Sequence, residues 1–265
     1  MDFTGKVALI TGGGGGIGRA TALAFALRGA KVMVVDADAD SGQASVDIVS
    51  QRGGTIAFVQ ADVTKSASVQ DYVQKTLSAY GRIDCFFNNA GIEGSVVPFQ
   101  NYDEDMFDRV IAVNLKGVFL GIRHVLPVML KQGSGAIVNT ASTAGLFGSP
   151  GMPGYVASKH GVLGLTKVAS TDVAGLGVRV NAVCPGPVET RMMRSLESQR
   201  NPNDPESVHT AYAAGIPTGR YALPEEIAGA VLYLCSDLSG DVTGTQIVID
   251  GGRSGSGGVA RPKPL

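Results

Sequence analysis

Residues 11–18 read TGGGGGIG and follow directly on an apolar, strand-like run at 6–10. A glycine-rich turn between a strand and a helix leaves backbone N–H groups bare, and the positive end of the helix dipole then stabilises a diphosphate laid against them. Any Cβ in the turn would hold such a ligand off. The glycines at 12, 16 and 18 lead into a helical pattern over 19–28, which stops at Gly29. Taken alone, the pattern also fits a flexible hinge.

The rest of the chain supplies the context that the loop needs. Strand-like segments recur at 6–10, 31–35, 55–60, 83–88, 136–140, 179–183 and 246–249. Several are almost continuously apolar, as parallel strands covered on both faces must be. Helical patterns lie between them at 20–27, 67–79, 106–130, 155–174 and 225–236. This alternation predicts βαβ crossovers and an α/β fold of the Rossmann type: one doubly wound parallel sheet of about seven strands, with helices on both faces. No composition break marks a second domain, so residues 1–252 are expected to form one unit. Residues 186–218, rich in Pro, Asn and Arg, read as an irregular substrate lid, and residues 253–265 as a flexible tail.

Composition narrows the partners. The 265 residues carry a net charge of −1 and 44% hydrophobic side chains, with no Lys/Arg run. Nothing here attracts nucleic acid or an anionic membrane, which leaves a small molecule as the expected partner. Cys85, Cys184 and Cys235 are odd in number and have neither CxxC spacing nor a histidine cluster beside them, so no metal and no disulfide framework is expected. The opening MDFTGKVALITG has the form of neither a secretory signal nor a membrane span, and a soluble, cytoplasmic protein is expected.

The second strand ends at Asp36, near the separation at which an acid meets the adenosine ribose in dinucleotide folds. A carboxylate there accepts from a ribose 2′-hydroxyl and repels a 2′-phosphate. No Arg or Lys at 13–17 or 37–40 offsets it, so the expected cofactor is NAD rather than NADP.

Further on, Tyr155 and Lys159 stand four apart, on one face of a helix. A tyrosine that works as a base near neutrality needs its pKa lowered by about 3 units, or roughly 4 kcal/mol. A lysine ammonium about 4 Å away at an effective dielectric of 20 contributes that order of energy. At this point the chain resembles the short-chain dehydrogenases/reductases, in the variety that carries TGxxxGxG and YxxxK. The resemblance rests on Thr11 to Gly18, Asp62-Val63, Asn88-Asn89-Ala90-Gly91, Asn114, Ser142, Tyr155 with Lys159, and Pro185-Gly186 followed by Thr190.

That resemblance implies a set of roles. Tyr155 would be the general base in oxidation and the acid in reduction, Lys159 would lower its pKa and hold the nicotinamide ribose, and Ser142 would bond the reacting oxygen. Asn114 would hold a water that links Lys159 to solvent. Gly12, Gly16, Ile17 and Gly18 would carry the cofactor's phosphates, Asp62 and Val63 would meet adenine, and Asn89, Ala90 and Gly91 would lie by the adenosine ribose. Pro185, Gly186, Val188 and Thr190 would contact the nicotinamide end. On local sequence alone, Asn114 is equally a helix cap, Ser142 a strand end and Asn89 a turn former.

The resemblance also places substrate specificity in the loops 92–100, 143–154 and 189–217. Val96, Val97, Phe99, Leu146, Phe147, Met152, Met192 and Met193 in these loops predict a mainly apolar pocket for a secondary alcohol or ketone, with cyclic skeletons among the candidates. His124 and His160 read as structural; of the three histidines, only His209, in the lid, lies where substrate could reach it. Two other readings stand beside this one: a 3-oxoacyl-[acyl-carrier-protein] reductase, which would normally use NADPH, and a non-catalytic NAD-binding regulatory protein. By resemblance the assembly is a homotetramer paired through the helices over 106–130 and 155–174.

Overall fold

The computed structural model describes residues 1–255. Seven parallel strands form one sheet in the order β3-β2-β1-β4-β5-β6-β7. They are β1 (Val7–Thr11), β2 (Lys31–Asp36), β3 (Thr55–Gln60), β4 (Cys85–Asn88), β5 (Gly135–Thr140), β6 (Val178–Pro185) and β7 (Gln246–Ile249). The chain runs outward from β1 to β3 and then returns to lay β4 on the other side of β1. This reversal opens a crevice at the carboxyl ends of β1 and β4, where ligands bind in open α/β sheets.

Strand alternation divides the core into two layers. On one face Ala8, Ile10, Val32, Val34, Phe87 and Val138 pack under α1 (Gly16–Ala26), α2 (Ala39–Gln51) and α9 (Pro224–Cys235). On the other, Leu9, Met33, Phe86 and Ile137 pack under α3 (Ser66–Tyr80), α5 (Gly117–Gln132) and α6 (Pro153–Asp172). Both faces are therefore dry, which is why the strands read as apolar runs rather than as alternating ones.

The helix expected over 106–130 is not uniform. It begins as α4 (Glu104–Ile111), widens into a π-helical turn at Ala112–Lys116, and continues as α5. The run Glu104–Gln132 has the length and hydropathy of a membrane span. Its apolar residues Val118, Leu120, Ile122, Val125 and Met129 are buried in the sheet-covering layer, so this is a core helix.

Three stretches depart from expectation. Residues 186–218 are not irregular but carry α7 (Arg191–Arg200) and α8 (Pro205–Ala214). Their starts are set by Thr190, which accepts from Met193 N at 3.4 Å, and by Asp204, which accepts from Ser207 N at 3.1 Å ahead of Pro205. Helix α2 has no counterpart in the expected pattern. It starts at the Asp38 cap, and its buried face consists of Gly42, Ser45 and Val49, only one of them a large apolar side chain. Part of the expected tail is also ordered: Arg253 N donates to Asp250 O and Ser254 N to Asp250 Oδ2. Residues 256–265 lie outside the described residues.

Candidate active site

The glycine loop crosses the carboxyl end of β1. Gly12 and Gly16 have φ of 64° and 49°, a conformation that a side chain would strain. A Cβ on Gly18 would overlap the carbonyl of Gly12, so that glycine serves the close packing of α1 on the loop and does not line the cleft. The middle glycines have separate reasons. A Cβ on Gly13 would lie 2.5 Å from Val34 Cγ1, and one on Gly14 would lie 2.7 Å from Asp36 Oδ2. Only Gly15 faces open space.

Gly14 also connects the loop to the acid. Its N–H donates to Asp36 Oδ2 at 2.8 Å, while Asp36 Oδ1 accepts from Asp38 N at 3.0 Å. The carboxylate is thereby oriented by two backbone donors. Arg19, which sequence reasoning missed because it lies just past the loop, completes the corner. Its guanidinium donates to the carbonyls of Gly14 and Ser41 and to Ser45 Oγ, and it lines the cleft. The available signal is an arginine one residue beyond Gly18.

Asn89 joins three strand ends. Its Nδ2 donates to Thr11 O at 3.1 Å, its Oδ1 accepts from Thr140 Oγ1 at 3.0 Å, and its N–H and that of Ala90 both donate to Thr11 Oγ1. This leaves Asn89, Ala90 and Gly91 along one cleft of about 1220 Å³. Gly12, Gly16, Ile17, Asp36, Asp62, Val63, Pro185, Gly186, Val188 and Thr190 line the same cleft.

At the other end stand Ser142, Tyr155 and Lys159. Lys159 is 3% exposed, donates to Thr140 O at 2.7 Å and holds its ammonium 5.6 Å from the Tyr155 ring centre. Burial lowers the Lys159 pKa to about 8, because an ammonium loses hydration there. For Tyr155 burial dominates and raises the pKa; the Ser142 hydroxyl opposes this and the Glu93 carboxylate adds to it. The lowering expected for Tyr155 is thus opposed by burial, while Lys159, with a pKa of about 8, still carries its charge at neutral pH.

Asn114 lies behind this wall, fully buried in the π-helical turn. It accepts from Ile92 N at 2.8 Å and donates to Ile92 O at 2.9 Å and to Ser158 Oγ at 3.3 Å. In the structure its amide holds the Ile92 backbone and does not reach the cleft surface.

The substrate wall is mixed. Of the eight apolar residues expected there, only Met152, Met192 and Met193 line the cleft, joined by Leu196. Phe99 and Phe147 point to solvent at 78% and 53% exposure, and Leu146 packs against the core. Glu93, Ser149, Arg200 and Tyr212 add polar groups. His209 is turned from the cleft: its Nδ1 lies 3.1 Å from the buried Glu197 and its ring packs on Tyr221, which ties α8 to α7. His124 bonds Ser66 and His160 bonds the Val156 carbonyl, both structural as expected.

Relatives share this fold. Residues 13–254 match the family model described as Enoyl-(Acyl carrier protein) reductase. Levodione reductase of Leifsonia aquatica is 42% identical over 95% of both chains, and the crystal structure of levodione reductase superposes with a TM-score of 0.94 over 96% of this chain and 99% of that one. Cyclohexanol dehydrogenase of Acinetobacter sp. (strain SE19) is 41% identical over 94% of this chain and 95% of its own. The crystal structure of NAD+-bound xylitol dehydrogenase is 36% identical, with a TM-score of 0.91 over 95% of this chain and 100% of that one. With a family model, full-length relatives and a solved structure of the same fold in agreement, the chain belongs to the short-chain dehydrogenase/reductase family.

Proposed function

We propose that this chain is an NAD-dependent oxidoreductase that interconverts a secondary alcohol and a ketone by hydride transfer. The observation that carries it is the meeting of Ser142, Tyr155 and Lys159 at one end of the cleft whose other end holds the glycine loop and Asp36. The residues fit a dinucleotide on their own chemistry: a cradle at Gly12 to Gly16 that side chains would obstruct, and a carboxylate oriented for a ribose diol. The relative whose structure is described as NAD+-bound supports the choice of cofactor.

Bound NAD would supply the hydride acceptor and, when oxidised, a positive ring. Ser142 Oγ donates to the substrate oxygen and fixes its position. Tyr155 Oη takes the hydroxyl proton as the C–H bond opens, and gives it back in reduction. Lys159, held by Thr140 O, keeps positive charge beside the forming phenolate and would hold the nicotinamide ribose of bound NAD. Its pKa of about 8 lets it pass that proton on near physiological pH. Asn114 holds the Ile92 backbone, which follows Gly91 beside Lys159, in place for a proton-carrying water. Asp62 and Val63 would border the adenine of bound NAD, and Pro185, Gly186, Val188 and Thr190 its nicotinamide end.

The substrate is a small, largely apolar alcohol or ketone, with a cyclic skeleton supported by the relative named for cyclohexanol. Met152, Met192, Met193 and Leu196 offer the apolar wall. The purified protein, mixed with NAD and a panel of secondary alcohols, is expected to generate NADH absorbance, most strongly with alicyclic members. Preference for charged or polyhydroxylated alcohols would overturn the substrate class; activity confined to 3-oxoacyl thioesters with NADPH would favour the carrier-protein reading, which Asp36 opposes.

Residues 1–252 act as one catalytic unit, in the cytoplasm, and assemble as a homotetramer. Phe107, Phe119, Leu130 and Val168 are exposed large apolar side chains on α4, α5 and α6, a face that suits a helix-to-helix interface. Light scattering is expected to give four times the chain mass; a monomer at all concentrations would contradict the assembly.

A further inference from the structure

Arg191 opens α7 and lines the main cleft beside Gly14, Gly15 and Gly16. It also borders a smaller depression with Gly16, Arg19 and Thr190, so it straddles the rim above the glycine loop. Its neighbour Thr190 packs directly on that loop, since a Cβ on Gly16 would lie 3.1 Å from Thr190 Cγ2. On the opposite side, the Asp38 carboxyl sits below its usual range, chiefly through hydrogen bonds from Ser41 and in smaller part through the positive charge of Arg191. Arg191 therefore stands at the rim of the loop, with its charge felt at Asp38.

The two arginines of this rim differ in what they already hold. Arg19 is committed to Gly14 O, Ser41 O and Ser45 Oγ. Arg191 makes no hydrogen bond and no ion pair with the described residues. An exposed cation with five free donors at the rim of the glycine loop is suited to a bidentate anion such as a diphosphate. Asp36 stands at the ribose end and repels a 2′-phosphate, which leaves the diphosphate as the anion within reach.

We infer that Arg191 binds the cofactor's diphosphate from the lid side, closing over phosphates that the glycine loop holds from below. This rests on the NAD reading above. Calorimetry on Arg191→Ala and Arg191→Lys, with NAD, ADP-ribose and adenosine as ligands, tests it without turnover. Removing one charge-assisted contact is expected to weaken NAD and ADP-ribose about tenfold. Adenosine, which has no phosphate, keeps its affinity, and Arg191→Lys shows a smaller loss than Arg191→Ala. Added salt is expected to weaken NAD binding to the wild type more steeply than to Arg191→Ala. Unchanged NAD affinity in Arg191→Ala would overturn the inference alone, and so would an equal loss for adenosine, which would mean a damaged loop. A wild-type protein that binds neither NAD nor ADP-ribose would overturn the NAD reading and this inference with it.

Discussion

Tyr155→Phe is expected to lower kcat for alcohol oxidation by about a thousandfold, within the range that a positioned acid–base group contributes. The ring stays, so the packing around it is kept while its proton-transfer group is removed. NAD affinity is expected to change by no more than about twofold, because the loss falls on an interaction made in the transition state. The pH dependence carries a further check. Oxidation needs the phenolate, and burial raises the Tyr155 pKa. Wild-type oxidation is therefore expected to rise with pH and ketone reduction to fall, and the residual activity of the variant should lose that slope. Steady-state kinetics with direct NAD titration would decide the matter; a variant turning over at near wild-type rate would remove Tyr155 from the chemistry.

Asp36→Ala is expected to cut the preference for NAD over NADP, measured as the ratio of kcat/KM values, by about a hundredfold. Two effects add. The carboxylate loses its hydrogen bonds with the ribose diol, of order 1.5–3 kcal/mol for a charged acceptor, and its repulsion of a 2′-phosphate disappears. The guanidinium of Arg19 then becomes the dominant charge of that corner. Because Gly14 N also loses its acceptor in this variant, Asp36→Asn is the informative companion. Its amide oxygen can still accept from Gly14 while the charge is gone. Relaxed choice in both variants assigns discrimination to the charge; relaxation in Asp36→Ala alone assigns it to loop geometry. Unchanged choice in both would defeat the ribose argument.

How far the sequence is legible depends on which force builds each element. Strands β1, β2 and β5 are readable because burial on both faces leaves continuous apolar runs. Helices α2, α7 and α8 rest on caps and on short, polar faces, for which hydrophobic periodicity has no signal. Gly42, for example, faces Phe58 so closely that a Cβ would collide with its ring. In the site, residues bound to a fixed backbone geometry are legible: the glycines, Asp36 and the Tyr155–Lys159 pair. Residues whose importance depends on the direction a loop faces are not. Arg19 and Glu93 belong to no motif, and Phe99 and Phe147 turn away from the wall that their loops suggest. The spacing of Tyr155 and Lys159 misleads in one respect: four residues give proximity, but say nothing of the burial that lowers the Lys159 pKa to about 8 and raises that of Tyr155.

The π-helical turn at Ala112–Lys116 acts as a phase adjuster. It accommodates one more residue than an α-helix would over the same rise, so everything after it keeps its angular setting toward the sheet. That setting matters at Gly117 and Gly121, where added Cβ atoms would press on Val63 and on Phe86 and Asn88. Removing a single residue from the turn would restore α-helical hydrogen bonding and leave α5 near its present setting, whereas a change of length that the turn did not absorb would swing α5 by about 100° and carry both glycines off their contacts. In this stretch the turn takes up a one-residue change of length, and outside it the same change is a rotation rather than a shortening.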